Sequence, residues 1–196
     1  MNLPRFRSLG LDPGSRNIGY GVVDVDLETV VHSRLITNVA HMGNLLVDNM
    51  MRYNSAKWWQ RTERQQRLKC GGDYAVGLIE TYQPDIVVLE DAYLNRRQPR
   101  SYRSLSEGLI YLVEAIRDYD DTLPVLITEA VRAKKAVGAN PKKGCDQKQI
   151  VKDALLNNRD IILPEDFEEE AEHAIDGVAL AQFGINEWWE ENKYFY

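Results

Sequence analysis

Strand periodicity dominates the start of the chain, and helical periodicity dominates most of the rest. An apolar run from Arg7 enters Asp12, where Pro13-Gly14-Ser15 supplies turn chemistry, and Ile18 to Val25 then resumes a strand-like alternation. Gly19 and Gly21 alternate with Tyr20 and Val22, which leaves one face of that second strand bare, as where another backbone or a ligand comes close. Val30, Val31, Leu35 and Ile36 predict a third strand over Thr29–Asn38. A long helical region is expected from about Leu45 to Tyr82, broken in two at Gly71-Gly72. Ile86 to Leu89 is a continuous apolar run of the kind buried on both faces, and it closes on Glu90. Leu105, Leu109, Leu112, Val113 and Ile116 mark an amphipathic helix, and Pro124–Thr128 a further strand. Ala130–Val137 predicts a helix ended by Gly138, and Asp146 caps another that carries Ile150, Val151, Ala154 and Leu155 on one face. A last helix, rich in small residues, follows His173. This order predicts an α/β chain with a mixed β-sheet flanked by helices.

A chain of 196 residues fits one domain, here 1–196, with a basic helical region at about 45–72 as an elaboration. Its apolar runs are too short to span a bilayer, so no membrane partner is expected. No basic-then-apolar leader precedes Asp12, so no signal peptide is expected either. Cys70 and Cys145 stand far apart without metal-ligand spacing, which suits a reducing, cytoplasmic compartment.

The formal net charge of −6 argues at first against a nucleic-acid partner. Its distribution points the other way. Arg52, Lys57, Arg61, Arg64, Arg67 and Lys69 make one basic cluster, with Lys57, Arg61 and Arg64 at helical spacing. Arg96, Arg97, Arg100 and Arg103 make a second, and Arg132, Lys134, Lys135, Lys142, Lys143 and Lys148 a third. The acids pool at Glu165–Glu172 and Glu187–Glu191. Any one cluster is most simply a solvated helix face, but a local basic surface attracts phosphate whatever the total, because screening confines the interaction to about 10 Å. Between Tyr93 and Arg103 the arginines interleave with Tyr93 and Tyr102, a combination suited to unpaired strands.

Asp12 and Glu90 each end a strand that such a sheet can set side by side. His173 and Asp176, three apart, project from one side of the last helix. Each has a plainer reading: a turn aspartate, a solvated carboxylate past a strand, an ordinary surface pair. Together they give three carboxylates and an imidazole, with no Gly-rich nucleotide loop. Oxygen-rich ligation suits Mg²⁺ or Mn²⁺, and the imidazole is compatible with Mn²⁺. Two ions about 4 Å apart would activate a water and stabilise the leaving oxygen of a phosphodiester.

The segment LGLDPGSRNIGYGVV resembles the opening motif of the RuvC-type Holliday-junction resolvases, which have the RNase H-like fold. QPDIVVLED is similar to that family's second motif, HAIDGVALA to its last, and AVRAKKAVGANPKKGCDQKQI to the lysine-bearing stretch between them. The resemblance implies Asp12, Glu90, His173 and Asp176 as metal ligands, and Lys134 or Lys135, together with Lys148, as the family's lysines. It implies Tyr93 as an aromatic that wedges into the junction centre, and a homodimer that nicks opposing strands symmetrically. The longer basic region before Gln83 and the acidic total resemble bacteriophage members, acting in a bacterial or infected host cell.

The leading expectation is therefore a metal-dependent endonuclease that resolves four-way DNA junctions. Kept beside it are a broader branched-DNA or flap nuclease of the same fold and a non-catalytic junction-binding protein. A sugar-kinase or actin-like ATPase also starts with a strand ending in aspartate, but no second phosphate loop is visible here.

Overall fold

A computed structural model describes residues 5–14, 16–27, 35–47, 62–93, 99–140, 146–169 and 172–194, without the side chains of 99–101, 147 and 168. Six strands form one sheet: β1 (Arg5–Pro13), β2 (Asn17–Asp26), β3 (Thr37–Leu46), β4 (Ile86–Glu90), β5 (Val125–Thr128) and β6 (Ile161–Ile162). Their spatial order is β5-β4-β1-β2-β3-β6. β1, β2 and β3 form an antiparallel meander, while β4 joins β1, β5 joins β4 and β6 joins β3 in parallel. The mixed sheet expected from the pattern is thus present.

The α-helices that flank it are α1 (Glu63–Tyr82), α2 (Pro99–Tyr119), α3 (Ala130–Ala136), α4 (Gln147–Asn157) and α5 (Glu172–Asn192). Alternation along the strands sorts them into two layers. Leu9, Leu11, Val87 and Leu89 point to one face and pack with Leu78 and Ile79 of α1 and Leu109, Leu112 and Ile116 of α2. Val23, Val25 and Val88 point to the other, against α5 and the buried faces of α3 and α4.

The second layer is set by glycine. Gly10, Gly19 and Gly21 stand on the α5 face of β1 and β2. A Cβ on Gly10 would collide with the Gly177 carbonyl, one on Gly19 with the His173 carbonyl, and one on Gly21 with the Val178 amide. From the helix side, a Cβ on Gly177 would strike the backbone of Tyr20 and Gly21. Helix and sheet thus meet backbone to backbone, which only glycine allows. Thr37 Oγ1, donating to Gln182 Oε1 at 2.7 Å, ties β3 to the same helix.

Two expectations are corrected. The third strand is Thr37–Leu46, not Thr29–Asn38, and residues 28–34 lie outside the described residues. A bulge opposite Val22 and Val23 breaks the alternation, so Val39 and Met42 are both buried three residues apart, and the strand does not read as one. Leu45, expected to open a helix, belongs to that strand. Nor do Gly71-Gly72 break the helix. Among the described residues it starts at Glu63, behind a Thr62–Gln65 capping box, and runs unbroken to Tyr82. Both glycines are buried: a Cβ on Gly72 would lie 2.9 Å from Ala115 of α2, and one on Gly71 3.1 Å from Ile18. They are close-approach positions, not breakers.

Gly21→Val tests the docking, because valine suits an isolated strand better than glycine. The variant is expected to lose at least about 3 kcal/mol in urea unfolding, since neither backbone can yield. Unchanged stability would show that α5 does not lie flush on β2.

Candidate active site

Asp12 and Glu90 reach the same face of the sheet through strand register. Gly10 pairs with Val88 and Leu11 with Leu89, so the next residues of these parallel strands, Asp12 and Glu90, are neighbours. With a period of two, both share the face of Gly10 and Val88, which α5 covers. The first two turns of α5 carry His173 and Asp176 over that strand end. His173 Nδ1 lies 2.7 Å from Asp12 Oδ2. The four residues singled out in the sequence are brought together.

Electrostatics mark the cluster as costly. Burial and the charges of Asp12 and Asp176 push the Glu90 carboxyl up to about 7, against the pull of Lys134 and His173. Burial also raises Asp176, opposed first by Lys134, whose Nζ stands 3.8 Å from Asp176 Oδ1. His173 is raised by its bond to Asp12, so the imidazolium form is favoured in this arrangement.

Lys134 rather than Lys135 faces the site: its side chain is only 14% exposed, whereas Lys135 is exposed to solvent. Lys148, in the first turn of α4, pairs with Glu172, and its charge is felt at Asp176 and His173. Asp146 caps that turn, accepting from the Lys148 amide at 3.0 Å and the Gln149 amide at 3.3 Å. Glu172, which the sequence placed only among the pooled acids of Glu165–Glu172, opens α5 immediately before His173.

The nucleic-acid candidates fare unevenly. Tyr93, three residues past Glu90, is 76% exposed. Arg64 and Arg103 are both paired with Glu107, at 2.5 Å and 2.9 Å. Lys57, Arg61, Arg96 and Arg97 lie outside the described residues, as does the side chain of Arg100.

The donor chemistry fits a hard divalent cation: three carboxylates gathered at one strand end, and one imidazole. Among the described residues, no three His, Cys, Asp or Glu side chains form a ready cage as they stand. One Asp12 oxygen is engaged by His173, and Asp176 faces Lys134. Also among the described residues, no helix is long and apolar enough to cross a membrane.

No family model matches the chain. It is 30% identical over 171 residues to the crossover junction endodeoxyribonuclease RuvC of Geotalea uraniireducens, covering 87% of this chain and 84% of that protein. To the protein of the same description from Beijerinckia indica it is 31% identical over 180 residues, covering 91% and 85%. Among solved structures, Thermus thermophilus RuvC in complex with Holliday junction substrate superposes with a TM-score of 0.61 at 16% identity, covering 95% and 96% of the two chains. The yeast mitochondrial Holliday junction resolvase Ydc2 gives 0.54 at 12% identity, covering 97% and 86%. These neighbours bear out the RNase H-like architecture.

Glu90 makes a test of the cluster without any ligand. Its folded-state pKa of about 7 lies above the ordinary 4.5, so stability is lost as pH rises between those values. In EDTA, Glu90→Gln is therefore expected to stabilise the protein by about 1–3 kcal/mol near pH 8 and hardly at all near pH 4.5. An equal effect at both pH values in thermal unfolding would refute the crowding.

Proposed function

The chain belongs to the RuvC family of crossover junction endodeoxyribonucleases, and from that premise we propose that Asp12, Glu90, His173 and Asp176 form its catalytic centre. The enzyme is a nuclease that resolves Holliday junctions by hydrolysing DNA phosphodiesters. The observation that carries the site assignment is the gathering of these four side chains on one strand end, joined by the Asp12–His173 contact.

The four would hold Mg²⁺ or Mn²⁺, two ions on this reading, and cation binding would offset the burial and the mutual repulsion that raise Glu90 and Asp176. When bound, the cations would supply Lewis-acid activation of water and charge stabilisation at the leaving oxygen. Asp12 fixes the imidazole through Nδ1 and leaves Nε2 for a ligand. Lys134 presents a positive charge beside Asp176, where the scissile phosphate gathers negative charge. Lys148, held by Glu172, offers a second at the rim. Cleavage leaves 5′-phosphate and 3′-hydroxyl ends.

Binding to the junction arms is assigned to Tyr93 as the wedge and to Arg96, Arg97, Arg100, Arg103, Lys135, Lys57, Arg61 and Arg64 along the arms. A homodimer supplies the two symmetric cuts, with residues 1–196 as one nuclease domain per subunit. The acidic total and the basic region at about 45–72 support bacteriophage membership, with the enzyme working in the cytoplasm of the infected cell. The alternative to this reading is a broader nuclease of the same fold that cuts flaps and other branches.

On an immobile four-way junction, paired symmetric nicks are expected in Mg²⁺ and none in EDTA, with linear duplex uncut. Asp12→Asn is expected to bind the junction as the wild type does and to lose at least about a thousandfold in cleavage. Wild-type cutting by that variant would remove Asp12 from the site. Replacing Lys57, Arg61 and Arg64 with alanine is expected to weaken junction binding and flatten its salt dependence by up to about three charges. An unchanged slope would place those residues off the DNA.

A further inference from the structure

Past the strand end that Asp12 closes, on the α1–α2 side of the sheet, lies a cavity that the catalytic cluster does not use. It measures about 320 Å³, within the general range of roughly 300–1,000 Å³ that takes a small ligand. Pro13 and Gly14, the residues directly after Asp12, form one wall, and the α1–α2 crossing forms the other. Ile18, Val47, Leu68 and Leu112 give it apolar lining, and Gly71 and Gly108 border it without a side chain. Arg16, Arg64 and Arg67 stand around it. Arg64 is paired with Glu107 and Arg67 with Glu63, whereas Arg16 makes no ion pair among the described residues.

An apolar trough with arginines at its edge matches a nucleotide: a base for the trough and a phosphate for the guanidinium groups. An intact duplex cannot offer a base to such a trough, because the base is stacked and paired. A branch point can, since unpairing costs least where stacking is already interrupted. We infer that this cavity receives one unpaired nucleotide of the bound DNA, close to the cut, and so selects branched over continuous duplex. The inference rests on the junction-nuclease reading of the neighbouring site. Loading the pocket would hold the strand beside Asp12 in register, so occupancy governs where and how fast the strand is cut.

Gly108 allows the pocket to be filled without disturbing the fold. A Cβ there meets only Leu68 Cδ2, at 3.9 Å, and leucine is a far better helix former than glycine. The experiment places 2-aminopurine at successive positions around the branch of an immobile junction, and compares wild type with Gly108→Leu. Fluorescence is read in EDTA and cleavage in Mg²⁺. Wild type is expected to brighten the probe at one position near the cut, as unstacking does. Gly108→Leu should abolish that signal and slow cleavage at least about tenfold, with unfolding temperature unchanged or raised.

A second measurement uses the DNA instead of the protein. With an abasic site at the position that brightens, wild type and Gly108→Leu are expected to cut at equal rates. A probe that brightens nowhere near the cut, a signal unaltered by Gly108→Leu, or a rate difference that persists on the abasic junction would each overturn the pocket assignment. Wild type that binds the junction but never cuts it would instead overturn the nuclease reading on which the inference rests.

Discussion

The close seating of α5 on the first two strands is the contact on which the site depends. Ordinary helix–sheet packing is held apart by side chains. Here Gly10, Gly19 and Gly21 meet Gly177 and the backbone at His173 and Val178 without intervening atoms. Removing that spacer lets the short side chains of His173 and Asp176 reach the level of the strand ends, where Asp12 and Glu90 wait. A helix seated on larger residues would carry the same sequence too far from the carboxylates to share a ligand with them. The glycines are therefore part of the site's geometry although none touches a substrate.

That seating creates an electrostatic problem that the fold answers only in part. Three carboxylates are enclosed at one strand end, and Glu90 is held near neutrality as a result. Lys134 and His173 offset some of the repulsion, and a bound cation would offset the rest. Such a site is poorly stable by itself and well suited to a hard divalent ion, a conflict expected where function rather than stability has chosen the residues. The same layer explains why Lys134 belongs to the site and Lys135 does not. On the short α3 they point different ways, and only the first lies over Asp176.

The basic surface is arranged by partnership as much as by composition. Glu107 holds both Arg64 and Arg103, Glu63 holds Arg67, and Glu172 holds Lys148. These exposed pairs contribute little stability. They hold those side chains in place, while Arg16 makes no ion pair among the described residues and Lys134 faces Asp176. A chain with a net charge of −6 can thus present positive charge where DNA would approach.

The sequence by itself determined the strand that stops at Asp12, the buried run that stops at Glu90, the bare glycine face of β2, and the joint projection of His173 and Asp176. Each is a local consequence of periodicity, turn chemistry or side-chain size. It also carried the family, through motifs that lie in order along most of the chain. The third strand was misplaced because its bulge throws Val39 and Met42 out of alternation, and a bulge is defined by the partner strand. Gly71-Gly72 were misread because a glycine that ends a helix and one that lets another helix approach look alike until the neighbour, Ala115, is in place. Tertiary structure alone decided which lysine enters the site, which arginines are already held, and that a cavity opens between the Asp12 turn and the α1–α2 crossing. Those features depend on residues far apart in sequence meeting in space, and no local pattern records which partner each side chain will find.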